Sequence, residues 1–149
     1  MLAVIRIRGD IGVKKEVKDT LKMLNLHRKN TCVIIPETPY FLGMIRKAKD
    51  YITWGEISED VLKKMVEKRG RLEGDKKIDD AFLKKNKIKN MDEIIKKITE
   101  GKIKEIGIKP YFRLSPPSKG FKGSVKQHYP KGVLGYRKDK INELLKRMI

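Results

Sequence analysis

The sequence predicts an α+β fold: one small sheet covered on a face by two helices, extended by a helical insertion and a basic, irregular C-terminal segment. Three observations carry this expectation. Period-two and period-3.6 apolar patterns alternate as β-α-β-α-β over residues 1–57. Residues 58–108 repeat acid-rich helix starts, and residues 109–149 mix cations with glycine and proline.

From Ala3 to Arg8, Ala3, Ile5 and Ile7 take one parity while Val4, Arg6 and Arg8 take the other, the pattern of a half-buried strand closed by Gly9-Asp10. Val13, Val17, Leu21 and Leu24 then recur at helical spacing, with Lys14, Lys15, Lys18 and Lys22 on the remaining faces. Thr31 to Ile35 is a β-branched run ended by Pro36, which reads as a second, more buried strand. Thr38-Pro39 reads as an N-cap followed by proline at the first helical position, and Phe41, Ile45 and Ala48 form that helix's inner stripe. Tyr51 to Trp54 closes the unit as a third strand.

In the insertion, Ser58 resembles an N-cap with Glu59 and Asp60 in the first turn and Gly70 as terminator. Asp79-Asp80 and Asn90 to Glu93 predict two further helix starts, the second helix ending at Gly101. Lys102 to Ile108 is an imperfect strand pattern, and Ile141, Leu144, Leu145 and Met148 mark a C-terminal helix that docks back on the body.

The 149 residues leave room for one ordinary domain or a compact domain with a long appendage. Lys and Arg number 37 against 19 Asp and Glu, a formal charge of +18 with a pI near 10.0. Self-repulsion on that scale calls for a polyanion, and nucleic acid is the first candidate. No spanning helix is expected, because no stretch approaches roughly 20 apolar residues. Nor is a signal peptide, since Arg6 and Arg8 interrupt the opening apolar run. Cys32 is the only cysteine, so no intrachain disulfide is possible and a reducing, cytoplasmic setting is the default.

Charge is unevenly spread. Basic residues outnumber acidic ones 11 to 6 up to residue 57, 15 to 11 in the insertion and 11 to 2 from Lys109 onward. No acid lies between Lys109 and Lys138, where breakers such as Pro116, Pro117, Gly120 and Gly123 leave a segment unable to build its own core. In it Arg113, Lys119, Lys122, Lys126, His128, Lys131, Arg137 and Lys138 interleave with Tyr111, Phe112, Phe121, Tyr129 and Tyr136. Cations neutralise phosphates and aromatic faces stack on splayed bases, so the mixture suits an irregular RNA surface, reached by an arm that is disordered until bound. The competing reading is a solvated linker, which seldom holds so many aromatics. Arg28, Lys29 and Asn30 crowd a turn with no nearby acid and point to phosphate contact, whereas Lys18 and Lys22 fit a solvated face.

No enzyme is expected. His27 and His128 are the only histidines, Cys32 sits in an apolar strand, and no phosphate loop or metal-ligand cluster occurs, so neither cofactor nor small-molecule substrate is implied. The alternative from another class is a sequence-specific DNA-binding regulator using the helical middle region. Its helix starts carry Glu59, Asp60, Asp79, Asp80, Asp92 and Glu93, which would face phosphates with like charge.

Thr20-Leu21, Leu24, Leu26, Arg28, Thr31 and Val33, followed by Met44-Ile45, Ala48 and Tyr51-Ile52, resemble the signature of the large-subunit ribosomal protein thirty family, whose eukaryotic member is large-subunit protein seven. Leu72-Glu73-Gly74-Asp75, Leu114-Ser115-Pro116-Pro117 and Lys119-Gly120 with Gly123 are similar to its archaeal long form. The resemblance implies a ferredoxin-like three-stranded sheet of order 3-1-2 seated on large-subunit ribosomal RNA, close to 5S RNA and neighbouring ribosomal proteins. It also implies that Lys14, Lys15, Arg28, Lys29, Asn30, Arg46 and Lys47 approach phosphates. Ile11-Gly12-Val13 stands where the bacterial short form has an Arg-Pro-rich loop. The domains expected are a ribosomal core at 1–57, a helical insertion at 58–108 and an RNA-binding arm at 109–149.

Overall fold

The apolar runs of the first third pair as antiparallel strands in a computed structural model that describes residues 1–78, 91–99 and 107–149. Strand β1 (Leu2–Arg6) lies between β2 (Thr31–Ile35) and β3 (Ile52–Glu56), with Val4 opposite both Val33 and Trp54. This is the expected 3-1-2 order. Helices α1 (Lys15–Met23) and α2 (Pro39–Lys47) cover one face, burying Leu21, Leu24 and Ile45 against Leu2, Val4, Val33 and Ile35. Thr38 caps α2 by accepting the Phe41 backbone N–H, and Pro39 occupies the first helical position.

The opposite face is covered too. Helices α3 (Glu59–Arg69), α4 (Met91–Thr99) and the C-terminal α5 (Ile141–Met148) bring Met65, Val66, Ile94, Ile98, Ile141 and Leu145 onto Ala3, Ile5, Cys32 and Ile34. Both parities of β1 are therefore buried, and the half-buried strand expected from the alternation is corrected. Ser58 takes the N-cap position of α3 without capping it; its hydroxyl donates to Asn142 Oδ1 across the interface with α5, at 3.3 Å. The helix start expected at Asp79-Asp80, the residues Asn90 and Gly101, and positions 102–106 of the weak strand lie outside the described residues. Ile108 makes only an isolated bridge to Leu72.

The largest correction concerns the C-terminal segment, which is neither irregular nor detached. Strand β4 (Phe112–Arg113) pairs with β2, and β6 (Gly132–Tyr136) joins β3 in parallel, placing Gly135 opposite Thr53 and Tyr136 opposite Trp54. Outside β6 runs β5 (Ser124–His128), giving the sheet order β4-β2-β1-β3-β6-β5. The segment builds no core of its own. It enters an existing one through Phe112, Leu114, Val133 and Leu134, each buried side chain contributing about 2 kcal/mol. Glycines make the seam possible: a Cβ on Gly55 would lie 2.2 Å from the Lys138 carbonyl oxygen.

Gly55→Ala is accordingly expected to destabilise the chain by about 1–3 kcal/mol in urea unfolding, since the clash is with backbone. Gly43→Ala, in α2 with no atom within 4 Å of the added carbon, should instead stabilise by roughly 0.5–1 kcal/mol.

Candidate nucleic-acid interface

β1 ends at Arg6, and that arginine organises everything beyond it. Its guanidinium is 2% exposed and donates to four groups: Arg8 O at 2.8 Å, Leu26 O at 2.7 Å, His27 O at 3.1 Å and Asp10 Oδ1 at 2.7 Å. One planar fork thus ties the loop after β1 to the turn before β2. Sequence parity put Arg6 toward solvent, and only its neighbour Asp10 in sequence hinted at a partner. The hydrogen bond from Arg6 holds the Asp10 carboxyl below the usual carboxylate range.

Chain segments carrying cations converge on this end of the sheet. Lys14 and Lys15 stand exposed at the start of α1. Arg28 and Lys29 are exposed on the turn, and the Lys29 side chain lies over Gly9. Asn30 has φ 60, a left-handed conformation that asparagine tolerates; its N–H donates to Arg6 O and its carbonyl accepts from Leu114 N. That second bond brings in Arg113, which sits opposite Thr31 and shares a small pocket with Arg28 and Tyr111. Arg8 donates to Asp50 O at 3.3 Å, and His128 Nε2 lies 2.9 Å from Asp50 Oδ1, so the outer strand reaches the same rim.

Lys119 follows Ser118, whose carbonyl accepts the Arg147 guanidinium at the C-terminal end of α5. Lys122, Lys126 and Lys131 are exposed around β5, whose every residue is exposed. Several expected contacts are engaged elsewhere or lie away from this rim. Lys47 pairs with Glu16 at 3.3 Å, and Arg113 with Asp75 at 3.5 Å. Arg137 is bonded inward to Val133 O and Thr53 Oγ1 and stacks over Tyr129; its burial lowers its pKa. Arg46 lines a cavity at the far end of the sheet. Lys138 is exposed at the same far end, where its carbonyl approaches Gly55.

The aromatics divide similarly. Phe112 is wholly buried and Phe121 packs on the same core, so the expectation that both offer faces to bases is corrected; apolar rings filled the space beside β2 and α5. Tyr111 and Tyr129 are partly exposed and each lies under an arginine. Arg8, over the Tyr51 ring at 5.1 Å, is a rim cation that sequence reasoning did not single out. Its signal was the pair Arg6 and Arg8 entering a strand end with one acid nearby.

A small mixed sheet with a cationic rim built from loop, turn and strand ends defines the class: a strongly basic α+β protein, with no metal-binding cluster among the described residues. The family description "Ribosomal protein L30p/L7e" matches residues 2–52. The chain is 50% identical over 152 residues to "Large ribosomal subunit protein uL30" of Methanosphaera stadtmanae, covering 100% of both chains. It is 48% identical to the protein of the same name from Nanoarchaeum equitans, covering 100% of this chain and 99% of that one. The corresponding protein of Archaeoglobus fulgidus is 45% identical, with 99% of each chain covered. The chain belongs to the uL30 family, a family of structural, non-enzymatic ribosomal proteins.

Two outcomes test the rim. Arg6→Met, which leaves three carbonyls and Asp10 without their donor, should cost on the order of 2–3 kcal/mol in urea unfolding. Asp10→Asn probes the carboxylate. A depressed carboxyl contributes stability above its unfolded pKa and loses it as pH falls through the folded value. The stability gap between the native chain and Asp10→Asn should therefore be full near pH 6 and shrink below about pH 4; a gap independent of pH would contradict the ion pair.

Proposed function

We propose that the chain is a structural constituent of the large ribosomal subunit that seats its cationic rim on ribosomal RNA. It works in the cytoplasm within that subunit, near 5S RNA and neighbouring ribosomal proteins, and catalyses nothing. The observation that carries the reading is convergence: Lys14, Lys15, Arg28, Lys29 and Arg113 come from three separate stretches of sequence, yet the bonds of Arg6, Asn30 and Leu114 gather them at one sheet end. A solvated charge surface needs no such buried scaffold. Phosphates approaching this rim are neutralised, and condensed counterions are released.

The exposed lysines of residues 119–131 extend the same surface along the outer edge strand, where no further strand pairs among the described residues. Lysine on an open edge also discourages pairing with another chain, so these side chains serve solubility before assembly and anchoring after it. The main-anchor role belongs to this stretch together with the turn at Arg28 to Asn30.

Binding to a large-subunit RNA fragment should be steeply salt-dependent. If about five cations touch phosphate, the log–log slope of affinity against salt lies between roughly −3.5 and −4.5, and replacing one of Lys119, Lys122, Lys126 or Lys131 by Ala lowers it by slightly under one. Filter binding across a salt series measures this. A slope near zero overturns the mechanism.

A further inference from the structure

At the end of the sheet away from the cationic rim, between α2 and the strands, lies a cavity of about 290 Å³. Leu42 and Ile45 form its apolar floor, Trp54 and Tyr136 its aromatic wall, and Glu37 and Arg46 its charged mouth. The Trp54 and Tyr136 rings are stacked, with centroids 6.2 Å apart and planes inclined by 29°. Tyr136 donates its hydroxyl to Glu56 at 2.7 Å, which fixes the ring's orientation. Neither Glu37 nor Arg46 has an ion-pair partner among the described residues.

Carboxylates gather at this cavity although the chain as a whole carries +18. The hydrogen bond to Glu56, with burial and the charge of the same carboxylate, pushes the pKa of the Tyr136 hydroxyl up to about 12. Glu56 is bonded to the tyrosine and Glu37 lines the cavity beside it, with Arg46 the single cation in the lining. An unpaired carboxylate beside aromatic faces attracts a cation. Planar aromatic walls with a carboxylate at the mouth favour a guanidinium over an ammonium, because the former is weakly hydrated, stacks on indole and bonds a carboxylate in a fork.

We propose that this cavity receives an arginine side chain from a basic extension of a neighbouring protein, its guanidinium stacked on Trp54 and bonded to the Glu37 carboxylate. The proposal deepens the ribosomal reading and rests on it for the partner. The molecule then has two poles: a cationic rim for RNA and an acidic aromatic slot for protein.

Trp54 is the only tryptophan, so its fluorescence reports on the cavity alone. The full chain is titrated with a blocked basic peptide carrying one arginine between lysines, and with the same peptide carrying citrulline, which keeps the shape and loses the charge. The arginine peptide should change Trp54 emission saturably, and Glu37→Gln should weaken it about tenfold, the worth of one charge-assisted hydrogen bond. The citrulline peptide should bind at least as weakly as that variant. Equal binding of both peptides, an unaffected Glu37→Gln, or no saturable change overturns the proposal. So does tighter saturable quenching by a short single-stranded oligoribonucleotide, which would make the cavity a base site. Binding of large-subunit RNA, measured in parallel, should be unchanged in Glu37→Gln. Its failure in the native chain would sink the ribosomal reading alone and leave the titration to decide the cavity.

Discussion

The buried guanidinium of Arg6 is the constraint on which the cationic end of the sheet depends. A charge removed from water is tolerated only where every donor finds an acceptor, and here the acceptors are three backbone carbonyls and one carboxylate. Those carbonyls belong to the loop after β1 and the turn before β2. The two segments that must present Lys14, Lys15, Arg28 and Lys29 are therefore positioned by a single side chain. Asp10 neutralises that charge locally, which leaves the surrounding surface lysines unpaired with it and open to an external anion.

A second dependence runs across the sheet. Thr53 Oγ1 donates to Gly135 O at 2.9 Å and accepts from Arg137 Nε at 3.1 Å, so the hydroxyl on β3 is a relay between strand and guanidinium. Nothing buried on the described side chains is left without a hydrogen-bond partner. The C-terminal segment is thus held by specific polar contacts as well as by Val133 and Leu134. That explains how a stretch so poor in packing material acquires a fixed shape.

Much of the first sixty residues was legible because each element there satisfies one local rule. The strand β2 is bounded as its β-branched run dictates and α2 opens with a working Thr38 cap; at the other end of the chain, α5 buries the four residues of its apolar stripe. Arg6 was misread because alternation reports polarity, not burial, and a charged residue at a polar parity gives no sign that another segment's carbonyls will close over it. Strand β6 was hidden for a different reason. Gly132 and Gly135 read as breakers, but Gly132 lies so near the Gln127 carbonyl, and Gly135 (φ 85) so near His128, that side chains there would prevent the close approach of β5. The rim's positive groups were mostly named from composition; their convergence follows from the bonds of Arg6 to Leu26 and His27 and of Leu114 to Asn30, and the inward turn of Arg137 from its bond to Thr53, none of which a local pattern encodes.

That separation has a consequence for synthesis. β3 is complete by residue 56, but the strand that covers its outer edge spans Gly132–Tyr136. Until those later residues emerge, a nascent chain carries an unprotected row of amides and carbonyls beside a half-covered apolar layer, the condition under which strands pair with the wrong neighbour. Ring closure over so long an interval is also slow compared with forming α1 or α2. Translation that stalls before residue 132 would thus release an adhesive fragment, and prompt completion of the polypeptide is part of what keeps this protein soluble.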